Sequence, residues 1–67
     1  MNTLSAYLSR EGIRQGDFAK RVGLTQATVS RLARNAMRPR LETALTIERA
    51  TGGAVPVSSW GQSEDAA

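Results

Sequence analysis

The sequence predicts an all-α fold built from four short helices, and two observations support this. Glycine and proline divide the 67 residues into short segments, most of which have apolar residues at the three- and four-residue spacing of a helix face. No segment shows the sustained alternation or the run of β-branched residues that a strand needs. A chain of this length has room for one small domain, which we expect to cover residues 1–60.

The first two predicted helices run from about Thr3 to Glu11 and from about Gln15 to Val22. Their apolar faces are formed by Leu4, Tyr7 and Leu8 in the first and by Phe18, Ala19 and Val22 in the second. A glycine follows each helix, Gly12 and Gly23, and glycine readily adopts the left-handed conformation that ends a helix. These two residues therefore set the predicted ends.

The third predicted helix starts after Thr25, which is a good N-cap, and Asn35 closes it in the left-handed conformation. The fourth runs from about Leu41 to Thr51, after a loop that contains Pro39. We expect the core to receive Val29, Leu32 and Ala33 from the third helix and Leu41, Ala44, Leu45 and Ile47 from the fourth.

The fourth helix is followed by a break and a short apolar segment. Gly52 and Gly53 break the helix, and Val55-Pro56-Val57 with Trp60 is expected to fold back over the core as an extended segment or a short turn. Residues 61–67 are expected to form a disordered tail.

Composition narrows the classes of function. The chain has no cysteine and no histidine, which removes thiolate chemistry, the usual zinc ligands and imidazole catalysis, so we expect neither an enzyme nor a cofactor, metal or small-molecule substrate. No apolar run approaches the length of a membrane span and no signal peptide is evident, so we expect a cytoplasmic protein with no membrane partner. The formal net charge is +3, and eight of the nine basic residues are arginine, which suits phosphate groups and guanine edges.

The second and third helices, joined by the tight turn Gly23-Leu24-Thr25, predict a helix-turn-helix. One face of the third helix carries small, hydrogen-bonding and basic side chains without a carboxylate: Gln26, Ala27, Ser30, Arg31 and Arg34. Such a face can enter the major groove of DNA, although the same stripe is also what the solvated side of an amphipathic helix looks like. Arg38 and Arg40 in the following loop, and Gln15 at the start of the second helix, are placed to hold phosphates, whereas ordinary surface roles would also suit them.

The segment from Gln15 to Arg31 resembles the helix-turn-helix of the Cro and lambda-repressor type. The resemblance rests on the opening glutamine, Ala19, Gly23, the Thr25-Gln26 start of the third helix, Val29, and Pro39 before the fourth helix. It spans roughly residues 3–53 and implies a compact four- or five-helix DNA-binding domain. The stretch from Ile47 to Val55 is similar to small Cro-like and antitoxin-like regulators of phages and prophages.

The resemblance also implies roles for individual residues. Base contacts are implied for Gln26, Ala27, Thr28, Ser30 and Arg31, and DNA backbone contacts for Gln15, Thr25, Arg34 and Arg38, to which the loop residue Arg40 is added. Thr28 lies toward the helix flank, so a contact with the backbone or with a neighbouring side chain is as plausible as a base contact.

Two functions remain open from the sequence. The first is a transcriptional repressor that binds a pseudo-palindromic operator in double-stranded DNA as a homodimer, with Val55, Val57 and Trp60 as candidate dimer contacts. The second is an antitoxin-like or protein-interaction module that acts through its C-terminal segment. For Trp60 the alternative to a dimer contact is that it covers the core between the first and fourth helices.

Overall fold

A computed structural model describes residues 2–60 of the chain. Within that range there are four α-helices and no strand: α1 (Thr3–Glu11), α2 (Gln15–Val22), α3 (Gln26–Ala33) and α4 (Leu41–Ala50), followed by the short 3-10 helix η1 (Val57–Trp60). The predicted all-α class is confirmed, and the predicted helix bounds agree with the observed ones to within one residue. The disordered tail predicted for residues 61–67 lies outside the described residues.

The helix ends follow from backbone conformations that the sequence encodes. Gly12 and Gly23 adopt the left-handed conformation with φ of 68° and 73°, and each ends its helix there. Asn35, one residue beyond the C-cap of α3, has a φ of 61° and is the non-glycine residue with positive φ in this part of the chain. These positions explain why the first three helices end where the sequence predicts.

Four helices and the segment after α4 share one core. It contains apolar side chains from each of α1, α2, α3 and α4, together with Val55 from the last segment: Leu4, Leu8, Phe18, Ala19, Val29, Leu32, Ala33, Ile47 and Val55. The rings of Tyr7 and Phe18 meet edge to face at 6.4 Å, which joins α1 to α2. The predicted core positions of α1, α2 and α3 are confirmed, with Val22 and Tyr7 at its margin.

In α4 the prediction of the inward face is wrong for both leucines. Ala44 and Ile47 are buried, but Leu41 is 65% exposed and Leu45 is 40% exposed. The third inward position of α4's face is taken by Thr51, just past the helix end, so the buried stripe of this helix is narrow and polar at one end. The leucines lie beside this stripe on the solvent-exposed side, and the sequence pattern favoured them because large apolar residues are usually buried.

Two side-chain hydrogen-bond groups hold the termini of the fold. Asn2 caps α1 by accepting from the Ser5 amide, and its own amide donates to the Leu32 carbonyl at 2.6 Å and to the Asn35 side chain at 2.9 Å. The buried Thr51 hydroxyl accepts from the Val55 amide at 3.1 Å and donates back to carbonyls of α4. The first group ties the start of α1 to the end of α3, and the second turns the chain at Gly52 and Gly53 so that Val55 enters the core.

Candidate nucleic-acid interface

The two faces of α3 have opposite properties. Val29, Leu32 and Ala33 are buried against the rest of the fold, and α2 packs against α3 more extensively than any other helix does. The other face is accessible, with Gln26, Ala27, Arg31 and Arg34 exposed and Thr28 and Ser30 half-buried. The structure therefore brings Gln26, Ala27, Ser30 and Arg31 together on one accessible surface, with the half-buried Thr28 at its flank.

The start of α3 is closed by a pair of threonines. The Thr25 hydroxyl accepts from the Thr28 amide at 3.1 Å and lies 2.9 Å from the Thr28 hydroxyl, to which it donates. Thr25 is thus the N-cap that the sequence predicts. The Thr28 hydroxyl is engaged with a neighbouring side chain, which is one of the alternatives that the sequence left open for it.

Gln26 leans back toward the start of α2. Its side-chain oxygen lies 3.3 Å from the position that a Cβ on Gly16 would occupy, so a residue with a side chain at position 16 would press on it. Gln15 is half-buried beside them. These residues line an open hollow with Arg14, Gln15, Gly16, Asp17, Lys20 and Gln26 at its walls.

Two cations at this hollow, Arg14 and Lys20, were not predicted as site residues. Both are exposed, and they lie at the N-cap of α2 and on its next turn. A signal for Arg14 was present in the sequence, since a basic residue directly before a helix N-terminus adds a cation to free backbone N–H donors. Asp17 is the acidic residue of this hollow, and it lies in the first turn of α2, where the helix dipole favours a carboxylate.

The helices differ in how their N-termini are satisfied. In α1 and α3, the side chains of Asn2 and Thr25 cap the first turn. In α2 and α4, the N-cap residues are Arg14 and Arg40, and neither makes a side-chain cap hydrogen bond. An uncapped helix start exposes backbone N–H groups at the positive end of the dipole, which is a favourable environment for an anion.

The remaining basic side chains lie at the end of α3 and in the loop after it. Arg34 is the C-cap of α3, and its Nε donates to the Ser30 carbonyl at 3.3 Å, which holds the guanidinium near the helix end. Arg38 and Arg40 are both exposed and flank the half-buried Pro39. The surface that includes α3, the start of α2 and this loop is therefore rich in arginine.

The structure corrects one of the candidate dimer contacts. Val55 is fully buried in the core of its own chain, so its side chain is unavailable to a second chain. Val57 and Trp60 are half-buried in η1, and Trp60 packs against the core cluster. The indole Nε1 of Trp60 is buried and has no hydrogen-bond partner among residues 2–60, and the ring borders a hollow with Asn2, Thr3 and Arg38.

Comparison with known families gives a match over most of the chain. The model of the helix-turn-helix family HTH_3 matches residues 3–56, a range that contains all four α-helices. Comparison with curated proteins and with solved structures found no match. Within residues 2–60, no helix is long and apolar enough to cross a membrane.

The matched range includes α2, the Gly23-Leu24-Thr25 turn and α3, so the observed geometry and the family match describe the same unit. That family consists of DNA-binding regulators, which accords with the arginine-rich surface around α3. The chain belongs to the helix-turn-helix family of the Cro and lambda-repressor type, as a DNA-binding transcription regulator.

Proposed function

We propose that the protein is a Cro-like repressor that inserts α3 into the major groove of a pseudo-palindromic operator. The observation that carries the proposal is the accessible face of α3, where Gln26, Ala27 and Arg31 are exposed and no carboxylate is present. A helix of this diameter fits the major groove, and its opposite face is committed to the core. Residues 1–60 would form the DNA-binding domain.

The base contacts follow from the chemistry of the exposed side chains. The Arg31 guanidinium donates two parallel hydrogen bonds to O6 and N7 of a guanine. Gln26 reads an adenine edge, or reaches a phosphate near the start of α2, toward which its side chain already leans. Ala27 contacts a thymine methyl group, and the hydroxyls of Ser30 and Thr28 add shorter-range contacts.

The backbone contacts are proposed at the two uncapped helix starts. A phosphate at α2 accepts from the free amides beside Gln15 and is attracted by Arg14 and Lys20. A second phosphate lies at the start of α4, where Arg40 is the N-cap and Arg38 is two residues earlier. Arg34 and Thr25 contact the backbone on either side of the inserted helix, so the phosphates set the register of α3 in the groove.

One such module reads a short half-site, and it binds weakly alone at physiological salt. We therefore propose that two copies bind two half-sites related by a twofold axis, with half-site centres about 34 Å apart. Binding across a promoter blocks polymerase by occupying its site, which requires no further chemistry from the protein.

Selection of bound sites from random duplex DNA tests the proposal. We expect enrichment of one inverted repeat whose half-sites are spaced by about one helical turn, or a multiple of it, with two chains per duplex. A reporter gene with the selected site inside its promoter should be repressed by the wild-type chain and not by Arg31→Ala. Equal recovery of all sequences would overturn the proposed specificity, and activation of the reporter would overturn repression.

A further inference from the structure

The side-chain amide of Asn2 makes three hydrogen bonds, of which one serves its own helix. Its Oδ1 accepts from the Ser5 amide at 3.0 Å and so caps α1. Its Nδ2 donates to the Leu32 carbonyl at 2.6 Å and to Oδ1 of Asn35 at 2.9 Å. Capping of α1 needs only the first bond, so the other two bonds have a separate effect, at the far end of α3.

The two groups that accept from Asn2 lie on either side of Arg34. Leu32 belongs to the last turn of α3, Arg34 is its C-cap, and Asn35 follows directly. The Leu32 carbonyl also accepts from the Asn35 amide at 3.2 Å, so the three residues form a closed set of hydrogen bonds around the helix end. The last carbonyls of a helix lack partners within it. Asn2 supplies one, and thereby holds the backbone from which the Arg34 side chain extends.

Burial in the core does little to fix this part of the chain. The buried residues of α3 end at Ala33, and residues 34–38 are all exposed. The segment borders an open hollow of about 440 Å³, lined by Asn2, Thr3, Asn35, Arg38, Ser59 and Trp60. Asn35 also holds a φ of 61°, which costs free energy for any residue with a side chain. The bonds from Asn2 therefore act where apolar packing does not.

The side chain of Arg34 is restrained as well as its backbone. Its Nε donates to the Ser30 carbonyl at 3.3 Å, which draws the guanidinium back along α3. With the backbone held by Asn2, the cation is oriented before any DNA is bound. A side chain that is already ordered loses less conformational entropy when it binds a phosphate, so the same contact gives a higher affinity.

We propose that Asn2 is a positioning residue for DNA binding, which acts through Arg34 by holding the backbone on both sides of it. The contact between Arg34 and a phosphate, on which this inference rests, is part of the proposed function. Phosphate contacts carry no base preference. Asn2 therefore raises the affinity for every sequence by a similar factor, from a position outside the helix-turn-helix.

Asn2→Ser separates the two roles of this residue. Serine ranks with asparagine as an N-cap, so α1 keeps its capping acceptor, and the net charge does not change. The shorter side chain loses the bonds to the Leu32 carbonyl and to Asn35. Circular dichroism and urea denaturation identify a temperature at which every variant is folded, and DNA binding is measured there.

A double-mutant cycle with Arg34→Ala tests the proposal, on a mixed-sequence duplex and on the selected operator. We expect Asn2→Ser to weaken binding to both duplexes by about three- to tenfold. In the Arg34→Ala chain the same substitution should weaken binding by less than about twofold, because the side chain that Asn2 positions is absent. Equal factors in the two chains would overturn the proposal, since Asn2 would then act independently of Arg34.

Thr51→Val is the matched control for stability. It removes a buried hydroxyl at the end of α4, and Thr51 is not among the residues proposed to contact DNA. We expect this variant, when folded, to bind DNA as tightly as the wild type. If it loses as much affinity as Asn2→Ser, a general loss of stability accounts for both results and the positioning role is wrong.

Asn35→Gly tests the second bond without a cost in stability. Glycine adopts a φ of 61° freely, so we do not expect the free energy of unfolding to fall, although the bond from Asn2 is lost. DNA binding should still weaken, and a merely structural role would not produce that combination. In the Asn2→Ser chain, Asn35→Gly should add no further loss. A further loss of the same size there would mean that glycine acts by itself, and would contradict the role of the bond.

Failure of this inference and failure of the proposed function give different results. A selected inverted repeat together with additive effects of Asn2→Ser and Arg34→Ala would overturn the inference and leave the proposed function intact. Coupled effects on the mixed-sequence duplex, without any sequence preference, would support the inference and contradict the proposed repressor. If Arg34→Ala weakens binding to neither duplex, both the inference and the proposed phosphate contact of Arg34 are wrong.

Discussion

Thr25 and Thr28 share a hydrogen bond between their hydroxyls at 2.9 Å, while the Thr25 hydroxyl also accepts from the Thr28 amide. Two side chains thereby define the first turn of the helix that faces DNA. The arrangement leaves the first exposed side chains of α3, Gln26 and Ala27, on a fixed backbone. Stability and DNA affinity are expected to depend on this pair together.

Removal of the Thr25 hydroxyl tests that dependence. We expect Thr25→Ala to lower the free energy of unfolding by about 1 kcal/mol, because the first turn of α3 loses its capping acceptor. Thr25→Ser keeps the hydroxyl and should remain close to wild type. Urea denaturation measures both, and equal stabilities of the alanine and serine variants would contradict the capping role.

Arg31 is expected to control sequence preference. Arg31→Ala should cost about 1–3 kcal/mol of discrimination at one base pair of each half-site, because a bidentate contact with guanine is lost. The measurement is affinity for the selected operator and for operators changed at single positions. If every changed operator loses the same factor with Arg31→Ala as with the wild type, Arg31 does not read a base.

Arg34 is expected to contribute to DNA affinity without contributing to base preference. Its guanidinium is held at the end of α3 through the Ser30 carbonyl, away from the first turn that leads into the groove. Arg34→Ala should weaken binding to all sequences by a similar factor and reduce the salt dependence of the binding constant by about one ion per chain. A change in base preference would instead place Arg34 among the base-reading residues.

Substitution of Gly16 is expected to affect protein stability and DNA affinity in opposite directions. A methyl group at this position meets the Gln26 side chain at 3.3 Å, and that flexible side chain can move aside, while alanine is favoured over glycine in a helix. We expect Gly16→Ala to raise the free energy of unfolding by up to about 1 kcal/mol and to weaken DNA binding, because the hollow at the start of α2 becomes narrower. Thermal unfolding and a DNA-binding titration of Gly16→Ala measure the two effects. Unchanged DNA affinity of this variant would show that the hollow is not part of the interface.

Thr51 is a buried polar residue whose hydroxyl serves three backbone groups. Thr51→Val preserves shape but leaves the Val55 amide without its acceptor, so a loss of about 1–3 kcal/mol of stability is expected. Thr46→Val is the matched control, since its hydroxyl bonds a carbonyl of the same helix at an exposed position. Similar losses of stability in both variants would contradict the prediction that the buried hydrogen bonds of Thr51 contribute more than the exposed one of Thr46.

The sequence predicted the helix bounds of this fold better than it predicted which side of α4 is buried. Gly12, Gly23 and Thr25 act through local conformation and capping, so their effects can be inferred from a few neighbouring residues. The inward face of α4 depends on what the other helices leave unfilled, and there Ala44 and Thr51 suffice while Leu45 stays outside. Which face of α4 is buried is set by tertiary packing, and the spacing of apolar residues within one helix does not determine it.

Only part of the surface around α3 could be predicted from the sequence. The exposed face of α3 could be predicted because its opposite face is apolar at helical spacing. Lys20 was missed because its position beside Gln26 arises only when α2 and α3 pack together, whereas Arg14 was missed although its place directly before α2 is a local signal. The involvement of Asn2 at the end of α3 was likewise out of reach, because 30 residues of chain separate it from Leu32.

The division of α3 into a buried face and an accessible face has a consequence for redesign. Val29, Leu32 and Ala33 hold the helix in place, while Gln26, Ala27 and Arg31 contribute little to the core. A library randomised at these three accessible positions should therefore yield mostly folded proteins, each with its own operator. The domain would then serve as a compact scaffold for new DNA specificities.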